Sequence, residues 1–107
     1  MTEEEMRAHL AQRSQGLSAA REFLQTYVHD ASRGDLERVV RHMMSVNPYT
    51  IETGIEGISE ILTTPQAPGV LSDLVARDAN RALDDASDDG ARAWLDKLLA
   101  DLRRWTA

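Results

Sequence analysis

No cysteine occurs in this 107-residue chain. That excludes disulfides, thiolate metal sites and a cysteine nucleophile, and it suits a reducing cytosol. Aromatic residues are scarce at 5%, so a core has to be built mainly from Leu, Ile, Val, Ala and Met. No apolar run approaches the ~20 residues a membrane-spanning helix needs. The opening stretch MTEEEMRAHLAQRSQ has no apolar segment of the kind that marks a secretory signal. Histidine is sparse too. His9, His29 and His42 fall in no H-x-x-x-H or E-x-x-H pair, so the ligand sets of zinc proteases and di-iron bundles are missing. Hydrolase and phosphate-loop signatures are absent as well. The expectation is a soluble, cytoplasmic, non-enzymatic protein with no catalytic residue, metal or cofactor.

Positive charge is also in deficit. Lys and Arg number 12 against 18 Asp and Glu, a formal net charge of −6. Phosphate backbones and anionic lipid repel such a surface, so nucleic acid and membranes are not expected partners. The imbalance is uneven: residues 1–45 hold 7 acids and 6 bases, residues 46–107 hold 11 acids and 6 bases. The second half carries the field.

What the chain does have is helical periodicity. At this length, the reading is a single domain spanning 1–107, with 1–16 as an N-terminal extension that packs loosely. Thr2 and Glu5 form a T-x-x-E capping box, but the helix they open, Glu3 to Gln15, has little apolar surface beyond Met6, Leu10 and Ala11. Gly16 breaks the pattern. Ser18 caps a second helix over Ala19–Ser32, with Phe23, Leu24, Tyr27, Val28 and Ala31 inward. Gly34 reads as a C-terminal glycine. Asp35 then caps a third helix that buries Leu36, Val39, Val40 and Met43, and Asn47-Pro48 ends it.

Thr50–Leu62 follows, with Ile51, Ile55, Ile58, Ile61 and Leu62 as its apolar side. Gly54 and Gly57 cost such a helix about 1 kcal/mol each relative to alanine, which points to close approach of a neighbouring helix, with a functional hinge as the alternative. After the turn TTPQAPG, Val70–Leu83 buries Val70, Leu71, Leu74, Val75 and Ala82. The last helix is the clearest. Ser87 is its N-cap, Asp88 and Asp89 sit at its positive end and Arg103 and Arg104 at its negative end. Ala91, Trp94, Leu95, Leu98, Leu102 and Trp105 share one side, and Lys97 with Asp101 forms an i,i+4 pair on the other. With no alternating apolar pattern anywhere, the fold class is all-α, a compact bundle of five to six short helices.

Two groups of acids stand out. Glu52, Glu56 and Glu60 recur every four residues, so one helix carries three carboxylates on one stripe despite their mutual repulsion. Asp84, Asp85, Asp88 and Asp89 bracket Ser87. A calcium loop would need alternating ligands, a central glycine and a closing glutamate, and DDASDDGARAWL supplies neither of the last two in place. Capping and solubility account for that cluster, and a solvated face accounts for the glutamate stripe. The functional alternative joins them, with Asp96, into one negative face that docks a basic protein, where complementary charge raises the association rate. Tyr27, Tyr49, Trp94 and Trp105 are the aromatic anchors available to it, Trp94 fitting the core better. The candidate partner-binding residues are Glu52, Glu56, Glu60, Tyr49, Asp84, Asp85, Asp88 and Asp89.

Three stretches carry a family likeness. Phe23-Leu24-Gln25-Thr26-Tyr27-Val28-His29-Asp30 has an aromatic, a Tyr four residues on, then His and an acid. Ile55–Leu62 followed by Pro65–Leu74 pairs a central helix with a Leu-rich one after a polar turn. Asp84-Asp85 to Gly90, with Ala93-Trp94-Leu95, forms a closing element. On these the chain, from about Arg21 to Arg103, resembles the immunity proteins of bacterial contact-dependent growth-inhibition systems. The resemblance implies a small helical cytoplasmic protein that binds and neutralises a cognate toxin domain. Combined with the acidic surface, it makes a basic, nuclease-like toxin the expected partner, and a monomer or weak homodimer the expected free state. The rival expectation is a helical adaptor or self-associating module that uses its first helix and Trp105.

Overall fold

A computed structural model of the chain describes residues 16–29 and 31–107. The capping box at Thr2 and Glu5 and the helix expected over Glu3–Gln15 lie outside the described residues. Those described form an all-α bundle of five helices with no strand. α1 is α-helical over 16–23 and runs on as a π-helical segment, Leu24–Val28. α2 spans Arg33–Val46, α3 Pro48–Thr63 and α5 Asp88–Thr106. Between the last two lies α4, Val70–Asp73, which also passes into a π-helical segment, Leu74–Asp78. No helix among the described residues is long and apolar enough to cross a membrane.

α5 is the central strut, packing against α2, α3 and α4. Its cap is the one its sequence announces: the Ser87 hydroxyl accepts from the Gly90 N–H. Ala91, Leu95, Leu98, Leu99, Leu102 and Trp105 are buried along its length, while Trp94 is half-buried. Against them pack Leu24 and Val28 of α1, Val40 of α2, Ile51, Ile58 and Ile61 of α3, and Leu74 and Val75.

Other boundaries move, for identifiable reasons. Gly16 is helical and buried, and Ser18 is an exposed residue within the helix, so neither marks a break. α2 is capped by Ser32, whose hydroxyl accepts from the Asp35 N–H. Asp35 therefore lies in the first turn, and Gly34 is a first-turn residue too. Val39, expected inside, is 40% exposed. α3 begins at Pro48, since proline at the first helical position loses no hydrogen bond it needed. Asn47 alone makes the α2–α3 corner.

The helix expected to reach Leu83 ends at Asp78. Asn80 takes the left-handed conformation (φ 52°), which terminates helices and which Asn tolerates. Ala79 is buried in place of Ala82, which is exposed. Asp101, expected to pair with Lys97, bridges Arg33 at 3.0 Å and Arg104 at 3.0 Å instead.

The glycines of α3 are sites of close approach. A Cβ on Gly54 would stand 2.3 Å from the Phe23 ring, and one on Gly57 would stand 2.8 Å from the Gly16 carbonyl and 2.9 Å from Ala19 Cβ. α1 lies directly on α3 there, which the sequence anticipates from the two glycines.

Candidate protein-docking site

The outward side of α3 is set by helical spacing. Tyr49, Glu52, Thr53 and Glu56 stand at i, i+3, i+4 and i+7, hence on one side. Tyr49 is 71% exposed, and Glu52 and Glu56 are exposed. Glu60 continues the stripe but is half-buried, its side chain lying over Gly16 of α1. The apolar residues Ile51, Ile58 and Ile61 take the opposite side.

Most other acids of the described chain are committed. Arg38 pairs with Asp35. Arg41 pairs with Glu37 at 3.1 Å, Arg77 with Asp73 at 2.8 Å, and Arg21 with Asp78 at 3.3 Å. Asp78 is buried and also accepts from Gln25 at 2.6 Å, tying the π-helical end of α4 to α1. By contrast, no lysine or arginine lies between Arg41 and Arg77 in the sequence. None of Glu22, Glu52, Glu56 or Glu60 forms an ion pair with a described residue. Among the described residues, acids without an ion-pair partner therefore form two groups, one where α1 meets α3 and one at the start of α5 around Asp84–Asp89.

The aspartates ahead of α5 divide by role. Asp88 accepts from the Gly69 N–H at 2.8 Å and the Ser72 N–H at 3.0 Å. It thus satisfies backbone donors at the start of α4 from the first turn of α5, and those hydrogen bonds hold its carboxyl below the ordinary value of 3.8. Asp85 accepts from the hydroxyl of Ser87 at 2.6 Å and its N–H at 3.0 Å, which likewise lowers its pKa. Its carbonyl lies where a Cβ on Gly90 would be only 2.0 Å away. Asp84 and Asp89 are exposed. The seam between α3 and α5 carries cations: Arg92 donates to the Leu62 carbonyl at 2.7 Å and Arg103 to the Ser59 hydroxyl at 3.4 Å. Positive charge thus flanks the glutamate stripe on its α5 side.

Beside Tyr49 runs a groove that sequence reasoning did not find. It has a volume of about 170 Å³ and is lined by Ala19, Glu22, Phe23, Thr26 and Tyr27 of α1 and by Tyr49, Thr50, Thr53 and Gly54 of α3. The Phe23 and Tyr27 ring centres are 5.3 Å apart, and Tyr27 donates to the Thr50 hydroxyl at 3.1 Å. Its one sequence signal is the pairing of an aromatic-rich helix with a glycine-bearing one.

Of the other aromatic candidates, Trp105 is buried. Trp94 is half-buried with the Arg33 guanidinium 6.0 Å from its ring centre. His29 is exposed, and His42 lies on the open outer surface of α2 beside Asp35, Arg38 and Val39. Among the described residues no group of three or more His, Asp or Glu is arranged to hold a metal ion.

The chain matches no protein-family model, no curated protein and no solved structure. The likeness to immunity proteins rests on the residues quoted for it above.

Proposed function

We propose that this protein is a non-enzymatic bacterial immunity protein that binds and neutralises a cognate basic, nuclease-like toxin domain in the cytoplasm. The observation that carries the reading is the unneutralised acid of α3, three glutamates on one stripe next to an exposed tyrosine. Placing like charges four residues apart weakens a helix by a few tenths of a kcal/mol per pair. A face kept at that cost, on a helix with no lysine or arginine of its own, suits recognition of positive charge. Docking a standard interface of roughly 1,600 Å² would cover an active site or a surface next to it. Tyr49 is the aromatic anchor and Glu52, Glu56 and Glu60 steer the approach. Of the aspartates, Asp84 and Asp89 are the ones left to contribute, because Asp85 and Asp88 build the turn.

Co-expression with toxin-like reading frames neighbouring its gene, followed by capture at low and moderate salt, tests this. A stoichiometric basic partner whose activity is suppressed is the expected result. Glu52→Lys with Glu56→Lys should slow association about tenfold and change dissociation less, since rim charges act through steering. Association rates that ignore both salt and these substitutions would remove the acidic face from the mechanism.

A helical adaptor is the second reading. Burial of Trp105 removes one tool it was given, but Val39 and Val46, 40% and 65% exposed, offer another. Mass that rises with concentration, and falls back in Val46→Ser, would favour it.

A further inference from the structure

We propose that the groove between α1 and α3 is a socket for a single arginine side chain of a basic polypeptide partner. The assignment rests on the acidic-face reading above and adds to it the place and the chemistry of the anchor.

Size comes first. Sites for drug-sized molecules run from about 300 Å³ upward, and this groove, at about 170 Å³, is smaller. It suits one protruding side chain. Its lining is of two kinds: Phe23, Tyr27, Ala19 and Gly54 are apolar or aromatic, whereas Glu22 and the threonines Thr26, Thr50 and Thr53 are polar. An apolar stem with a charged head matches that division. Gly54 matters to the shape, because the Phe23 ring occupies the space a Cβ would take. The walls are fixed in advance by the Tyr27–Thr50 hydrogen bond and the packed Phe23 and Tyr27 rings, which lowers the ordering cost of binding.

Charge and aromaticity then select the head. Glu22 lines the groove from α1, and Glu52 stands one turn from Tyr49 on α3. Neither has an ion-pair partner among the described residues. Tyr49, 71% exposed and part of the groove lining, supplies an aromatic ring on which a planar guanidinium can stack while its N–H groups reach a carboxylate. A lysine ammonium makes the charge contact but not the planar one. Arginine, with Trp and Tyr, is among the residues enriched at the pocketed anchors that dominate an interface.

The test is a titration of the ¹⁵N-labelled full chain with acetyl-triarginine amide, triplicated with trilysine and tricitrulline peptides. Amide shifts should concentrate at Glu22, Thr26, Tyr49, Thr53 and Gly54, with triarginine bound at least about threefold more tightly than trilysine and tricitrulline not at all. Glu22→Gln and Tyr49→Ala, both at exposed positions, should each weaken triarginine about fivefold while leaving the remaining spectrum in place. Shifts centred instead on Asp84–Asp89, equal binding of the lysine peptide, or unchanged affinity in both variants would overturn the socket. No toxin is needed, so the two readings fail separately. A partner bound elsewhere defeats the socket alone, and arginine binding without any toxin partner defeats the immunity reading alone.

Discussion

Asp88 shows how one side chain can serve two helices. It stands in the first turn of α5, where the helix dipole favours an anion, and it accepts from the Gly69 and Ser72 N–H groups at the start of α4. Those bonds lower its pKa below 3.8, so the ionised form stabilises the fold above the ordinary carboxylate range. The contribution is lost as pH falls through the lowered native value. Asp88→Asn should therefore be less stable than wild type at neutral pH and lose less on acidification below that range, as read from urea midpoints across a pH series. Arg81 acts at the other junction, donating to the Val28 carbonyl at 3.1 Å and to the Ala31 carbonyl, which closes the end of α1. Arg81→Ala leaves those acceptors without their charged donor and should cost about 1–2 kcal/mol in chemical denaturation. Neither role is legible from spacing, because the partners lie 16 to 53 residues away.

At the scale of the element, the glycines give opposite forecasts. Gly57 meets the backbone of α1, with Gly16 O at 2.8 Å and Ala20 N at 2.9 Å of an added Cβ. Backbone cannot swing aside as a flexible side chain can, so the strain of about 1–3 kcal/mol outweighs the ~1 kcal/mol that alanine gains in a helix. Gly57→Ala should lower the melting temperature. Gly34, in the first turn of α2, has nothing within 4 Å, and Gly34→Ala should raise stability by about 0.5 kcal/mol. A calorimetric scan of both variants checks the pair. Sequence periodicity found α3 and α5 nearly whole, because their apolar repeats are long and the Ser87 cap of α5 is explicit. It misjudged α1 and the end of α4, where both helices widen into π-helical turns. Those turns are tied together by Asp78 accepting from Arg21 and Gln25, a contact that no local pattern encodes.

For the whole molecule, the deciding quantity is where the net charge of −6 ends up. Among the described residues, ion pairs engage Arg21, the arginines of α2, Arg77 and Arg104, and no acid of α3 takes part in one. Salt should then act in two directions. Screening within about 10 Å at 0.1 M weakens the repulsion along Glu52, Glu56 and Glu60 and stabilises the free protein slightly, yet it slows capture of a basic partner. Glu56→Gln separates the two: stability should rise by a few tenths of a kcal/mol while the association rate falls. Thermal melts and stopped-flow association on one variant pair measure both, and a slower rate without a stability gain would count against stored repulsion as the explanation.

Composition and periodicity were enough to determine an all-α chain, the position of its central helix, the close approach at Gly54 and Gly57 and the existence of a glutamate stripe. Each depends on local geometry, since a helix fixes which residues share a side. Tertiary structure alone decided which acids remain unpaired, because ion pairs such as Arg33–Asp101 join residues far apart in sequence. It also turned Asp85 and Asp88 from surface charge into turn builders and opened the groove beside Tyr49. Those outcomes depend on how helices are laid against one another, and the pattern along a single helix does not contain that information.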